Sequence, residues 1–274
     1  MKTLSKVITL SAILLALPAL ADSNTEALQQ AVDHHSRSEQ NKNRDQYRNP
    51  LPTLSFFEVT PQSTVVEISP GGGWYTEILA PLLAAHGKYY AAHFPANTSS
   101  DYYNRTLAAF KAKLAADPIY SRVSLTEFAP DNSGNIAPAG TADVVLTFRN
   151  LHNWYGRGGD DGMVAIFSDF YKALKPGGVL GVVEHRLPAD QADGDWTKSG
   201  YFPEQLAIRL AEQAGFVLEE RSEINANPKD TADYAGGVWT LPPSLRLGEQ
   251  DRAKYQAIGE SDRMTLKFRK PVAQ

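Results

Sequence analysis

The sequence predicts a doubly wound α/β fold: a seven-stranded, mostly parallel sheet with helices on both faces and an antiparallel last strand. Three observations lead there. Short apolar runs alternate with helical patterns from Thr64 to Arg269, and such alternation implies parallel strands joined by right-handed crossovers. The first run enters Ser69-Pro70-Gly71-Gly72-Gly73, a sharp turn leading into a helix whose free N–H groups suit a polar ligand. Setting aside a 21-residue leader leaves 253 of the 274 residues, enough for one domain of this kind with a substantial core.

Residues 1–21 have the order of a secretory signal peptide. Lys2 and Lys6 give a positive start, Val7 to Leu17 form an 11-residue apolar core, and Ala19-Leu20-Ala21 is an A-x-A cleavage site. A membrane span needs about 20 apolar residues, so this core predicts cleavage after Ala21 and no membrane insertion afterwards. The expected location is periplasmic or secreted. The chain has no cysteine, which excludes a lipoprotein anchor and a disulfide framework. Its formal charge is −4, becoming −6 without Lys2 and Lys6. A mildly acidic chain with no basic run argues against nucleic acid as a partner and leaves a small-molecule substrate.

Residues 22–52 are polar and read as a solvent-exposed helical arm, stopped by Pro50 and Pro52. Residues 53–274 form the main domain. Its expected strands are 64–68, 88–93, 123–127, 142–148, 179–184, 216–224 and 263–269. Its expected helices are 74–85, 102–116, 162–174 and 203–214, the second carrying apolar spacing at Leu107, Phe110 and Leu114. Tyr102, Tyr103, Phe110 and Tyr120 are expected in the core and at its rim. Residues 225–259, rich in Pro, Gly and Asp, form a long excursion that is either a lid or a passive insertion.

Within this frame, Glu67-x-Ser69-x-Gly71-x-Gly73 resembles the first motif of class I S-adenosylmethionine-dependent methyltransferases, D/E-x-G-x-G-x-G, with Ser69 in place of the first glycine. The segment from Thr141 to Phe148, followed by Leu151-His152, resembles the family's fourth strand. Ala173-Leu174-Lys175-Pro176-Gly177-Gly178-Val179-Leu180 resembles its L-K-P-G-G-x-L segment. More narrowly, the runs from Gly71 to Glu77, Thr147 to His152 and Val183 to Arg186 resemble a bacterial subfamily of exported methyltransferase-like proteins.

The resemblance implies S-adenosylmethionine as cofactor. Glu67 would support its methionine end, and Ser69, Gly71, Gly73 and Trp74 belong to the turn that closes on it. His93 ends the second strand, where the family places a carboxylate for the ribose hydroxyls; an imidazole can hold one hydroxyl but not two. Glu127 falls near the adenine amino group, and Asn150 and Trp154 follow the fourth strand into the pocket.

Sheets of this kind bind ligands at the carboxyl ends of their strands. His152 is the expected general base, its ordinary pKa suited to neutral pH, and Glu184 is expected to orient it or a substrate hydroxyl. His185 is a further candidate. Arg149 either binds a substrate carboxylate or pairs with Asp143 or Asp169, and Arg186 is a second substrate contact. Successive residues point opposite ways, so the pocket and the sheet edge share Glu184, His185 and Arg186. No metal is expected: Asp33-His34-His35 lacks a second ligand cluster and reads as a solvated helix face. G-x-S-x-G is absent, which disfavours a hydrolase elbow. An exported chain is separated from cytosolic S-adenosylmethionine, so the competing expectation is a cleft that binds another small ligand without methyl transfer.

Overall fold

The computed structural model describes residues 16–130 and 135–272, so the first 15 residues of the expected leader lie outside it. Four helices come first: α1 (Ala16–Val32), α2 (Glu39–Lys42), α3 (Asp45–Arg48) and α4 (Pro50–Phe56). The alternating part follows as β1 (Thr64–Ile68), α5 (Thr76–Leu83), β2 (Lys88–His93), α6 (Asp101–Ala116), β3 (Val123–Glu127), β4 (Ala142–Phe148), α7 (Leu151–Ala173) and β5 (Leu174–Leu187). The chain closes with β6 (Phe202–Pro203), α8 (Glu204–Gln213), β7 (Val217–Ser222), α9 (Arg252–Ile258) and β8 (Arg263–Arg269).

The strands are ordered β3-β2-β1-β4-β5-β8-β7, with the two-residue β6 paired to β5. Every pairing among β1 to β5 is parallel, while β8 runs antiparallel to both β5 and β7. The sheet is thus the expected one with a short extra strand. Connections diverge on either side of the β1–β4 pair, and a crevice opens at such a switch point, beyond the carboxyl ends of the strands.

Strand alternation feeds two cores. Val66, Ile68 and Val145 face α7 and α8, packing on Phe167, Phe170 and Leu210. Val65 and Val144, one position away, face Leu28 of α1, Leu54 of α4 and Ile78 of α5. Both faces of β1 and β4 are therefore covered, which explains the consecutive apolar residues Val65-Val66 and Val144-Val145-Leu146.

Several sequence expectations change. The arm is not solvent-exposed: Leu28, Ala31, Val32, Arg37 and Arg48 are buried. Arg37 meets Asp45 with two bonds of 2.8 and 2.7 Å, and the Ser38 amide donates to Glu77 Oε2 at 3.1 Å. Arg37 is held by Asp45 within the arm, while Arg44 and Arg48 turn toward Glu260 on the domain, a partner that local patterning does not register. Pro50 opens α4 at its first position instead of ending a helix, since that N–H would be unpaired anyway. Between Leu151 and Ala173, Gly159 is non-helical at φ 56° and ψ −151° and separates two helical segments that meet at a kink; the helix expected at 162–174 lies in the second, and the first is an addition. Likewise β5 runs straight through Lys175-Pro176-Gly177-Gly178 to pair Leu174 with Ala142, with an irregularity between Ala142 and Val144.

Candidate active site at the carboxyl end of the sheet

The turn after β1 is built for close approach. Ser69, Gly71 and Gly73 take φ values of 51°, 58° and 78°, a region that disfavours a side chain. The two glycines differ in their surroundings. A Cβ on Gly73 would sit 3.0 Å from Phe110 and 3.2 Å from Thr76 Oγ1, whereas one on Gly71 would meet nothing within 4 Å. Gly73 is a packing requirement, and Gly71 borders open space.

That space is a cavity of about 480 Å³ over the β1–β4 crevice. Ser69, Gly71, Arg149, Asn150, His152, Trp154 and His185 line it, as the sequence placed them together. Glu67, Gly73, Trp74, His93, Glu127, Glu184 and Arg186 do not.

The absent ones have identifiable occupations. Glu67 is buried beneath the turn, where it accepts from Tyr89 Oη and from Thr76 Oγ1 at 3.3 Å. Burial pushes its carboxyl up to about 7. His93 has no exposed surface. Its Nδ1 accepts from the Phe94 amide at 2.8 Å, so Nε2 holds the proton and donates to the Gly71 carbonyl at 3.1 Å. Burial lowers its pKa and keeps it neutral. Both ring nitrogens thus fasten the glycine turn. Trp74 donates to the Asn41 carbonyl at 3.0 Å and lies between Arg37 and Arg48, anchoring the arm. Glu127 is exposed at the last β2–β3 pair, opposite His93. Arg186 is tied to Glu223 and Asp262 by four bonds of 2.7 to 3.1 Å.

Glu184 acts from behind the wall. Fully buried, it accepts from the Leu151, His152 and His185 amides at 2.6, 3.4 and 2.7 Å, neutralising the start of α7. Its Oε1 also lies 3.0 Å from His152 Nδ1. An ionised carboxylate only accepts, so Nδ1 carries the proton and Nε2 keeps a lone pair. His185 Nδ1 meets Ser261 Oγ at 2.5 Å, and burial, with His152 next, lowers its pKa well below the usual value. Asn150 ties the strand ends together, Nδ2 donating to the Ile68 carbonyl at 3.2 Å and to Thr147 Oγ1 at 3.1 Å. Arg149 faces the cavity. Asp143 instead takes Lys175 and the Thr64 amide, each at 2.7 Å, and Asp169 keeps an unpaired oxygen.

The sequence reading passed over about two thirds of the wall. Arg44 and Arg48 come from the arm, Tyr103 and Arg157 from α6 and α7, Trp239 and Pro243 from the 225–259 excursion, and Ser261 and Arg263 from the entry to β8. A usable signal existed for the last four. β7 is parallel to β5 and β8 is antiparallel, so the excursion must leave and return at the crevice end of the sheet. For the arm no such signal existed. The Asp33-His34-His35 run belongs to no group of three or more metal-ligating side chains among the described residues, and His34 Nδ1 pairs with Ser36 Oγ at 2.7 Å.

No family model matches the chain, and no curated protein matches it. Solved structures do. A SAM-dependent methyltransferase from Aquifex aeolicus superposes with a TM-score of 0.55 at 13% identity, over 90% of this chain and 98% of that one. The [4+2]-cyclase SpnF gives 0.55 at 14% identity, over 94% and 96%. Human N-acetylserotonin methyltransferase, solved in complex with SAM, gives 0.52 at 14% identity, over 96% and 61%. At these identities the likeness establishes the fold, the one adopted by SAM-dependent methyltransferases.

Proposed function

We propose that the chain is an exported S-adenosylmethionine-dependent methyltransferase that acts on a small molecule, with His152 as its general base. The observation that carries this reading is the His152–Glu184 pair set into a cavity beside an open glycine turn. The cofactor fits at that turn. Gly71 leaves space for close approach, and Ser69, on the cavity wall, keeps a buried hydroxyl without a hydrogen-bond partner. Ser69, Gly71 and Asn150 would hold it. The ribose end departs from the family pattern, because no carboxylate lines the cavity among the described residues.

When bound, S-adenosylmethionine supplies an electrophilic methyl group. The chain's own task is alignment and proton removal. His152 takes a proton from the acceptor at Nε2, and Glu184 balances the imidazolium that results, as a buried carboxylate orients and stabilises a catalytic histidine elsewhere. Glu184 touches no ligand, so it is a positioning residue.

Calorimetric titration with S-adenosylmethionine and S-adenosylhomocysteine tests the cofactor. Micromolar binding lost on Gly71→Val is expected, and no binding at millimolar ligand would sink the reading. Once an acceptor is in hand, Glu184→Gln should lower kcat by about 100-fold or more with little change in KM. Export rests on the order of charge, apolar core and Ala19-Leu20-Ala21 in the leader. N-terminal sequencing of protein recovered outside the cytosol should begin at Asp22.

A further inference from the structure

Arg44, Arg48, Arg149, Arg157 and Arg263 all line the cavity, and no aspartate or glutamate among the described residues lines it with them. One carboxylate pairs with this group from behind. Glu260 takes Arg44 at 2.6 Å and Arg48 at 3.7 Å, and also holds Arg263. Five guanidinium groups against one carboxylate leave a strong positive excess in a chain whose net charge is −4. General composition therefore does not explain the cluster.

Nor does solvent relieve it. Arg48 and Arg263 are 5% and 3% exposed. Arg48 Nε and Nη1 and Arg263 Nε have no hydrogen-bond partner. Burial, and then the neighbouring Arg263, pull Arg149 down to about 10. Burial and then Arg149 lower Arg48 well below the usual range. Buried charge left this short of partners is costly, and an anion in the cavity would relieve it.

We infer that this cavity binds an acceptor bearing a doubly charged oxyanion group, a phosphate monoester or a pair of carboxylates, seated among Arg48, Arg149 and Arg263. The inference rests on the reading of the cavity as the acceptor site and names the acceptor's class. Guanidinium forks match oxyanions in pairs, which ammonium groups do not. Phe94, Tyr103 and Trp239 on the same wall supply apolar surface for the rest of the molecule. An anionic acceptor also offsets the field that a sulfonium would otherwise meet.

The test is calorimetric titration of the protein with inorganic phosphate, with citrate and with S-adenosylhomocysteine, at low and at moderate salt. Binding of phosphate or citrate is expected, weakening with salt and falling about tenfold to a hundredfold in Arg149→Gln. Preference for phosphate assigns a phosphate ester, and preference for citrate a dicarboxylate. Arg149→Lys keeps the charge without the fork and should bind less tightly than wild type. Thermal melting checks that both variants fold, and Arg48→Met serves if either does not. Failure of both anions at millimolar concentration, with S-adenosylhomocysteine bound, overturns this inference and leaves the methyltransferase standing. Anion binding without S-adenosylhomocysteine keeps the anion site but removes the methyltransferase, and with it the anion's role as acceptor. Anion affinity indifferent to Arg149 and Arg48 also overturns it.

Discussion

The floor and the wall of the cavity are built on opposite principles. Beneath the glycine turn, Glu67, Thr76 and Tyr89 satisfy one another and His93 is spent on the Gly71 carbonyl and the Phe94 amide, while burial holds the carboxyl up and the imidazole neutral. Around the cavity, arginines crowd together with unpaired nitrogens and one carboxylate to share. A saturated network stabilises the fold and has nothing left for a ligand. An unsaturated one strains the fold and waits for a partner, as functional sites commonly do. The contrast predicts that floor variants lose stability while wall variants lose binding.

The largest effect belongs to the floor. Gly73→Val forces a branched side chain into φ 78° and against Phe110, and should cost about 4 kcal/mol in denaturant unfolding. Gly71→Ala, in open space, should cost only about 1 kcal/mol. Equal losses at the two glycines would erase the distinction between packing and approach.

Glu67 gives the next effect, through pH. Its carboxyl rises from an ordinary 4.5 to about 7 in the fold. Its contribution is thus complete below pH 4.5 and is lost as pH rises through 7, worth about 3 kcal/mol. His34, His93 and His185 have lowered pKa values, so they act in the opposite sense, losing stability as pH falls below 6.5. The comparison with Glu67→Gln separates the two: the variant should lack the alkaline loss. Parallel pH profiles for the two proteins would show that Glu67 is ionised throughout.

On the wall the sign reverses. Arg149→Met removes a cation that has no ion pair among the described residues, and should raise stability by about 1 kcal/mol while weakening anion binding. A destabilised Arg149→Met would mean that the wall is as saturated as the floor. The smallest effect is at Arg157, exposed and lying 5.2 Å over the Tyr103 ring. Arg157→Gln should move stability by less than about 0.5 kcal/mol and phosphate affinity by about twofold.

The same division decides what could be read in the sequence. β1, β2, β3, β4 and β8 have the bounds that the sequence predicts: buried strands such as β1 and β4 leave a local apolar signature, and the half-buried edge strand β3 an alternating one. The glycine turn, Asn150 and His152 were legible for a related reason: they lie within five residues of a strand end, and parallel topology carries strand ends to the crevice. Arg44 and Arg48 were not legible. They sit in a polar stretch that resembles any solvated helix, and only Glu260, more than 200 residues later, turns them inward. Periodicity sees neighbours along the chain and misses charges whose partners are distant. The segment from Leu151 to Gly158 was passed over for another reason, since Gly156, Gly158 and Gly159 mask a short helix before the expected one.

The Tyr47 carbonyl accepts from Arg263 Nη1 at 2.8 Å across 216 residues. The arginine cluster is therefore a clasp between the two extremities of the polypeptide, with Arg149 contributed from the middle. Closing so long a loop comes late in folding, after the local strand–helix units have formed. A chain threaded outward from its N-terminus would emerge with Arg44 and Arg48 long before Arg263 arrives to complete the cluster. A small anion should then act as a reporter of finished assembly: it recognises the joined ends, ignores every partially released chain, and draws the last folding step to completion by mass action.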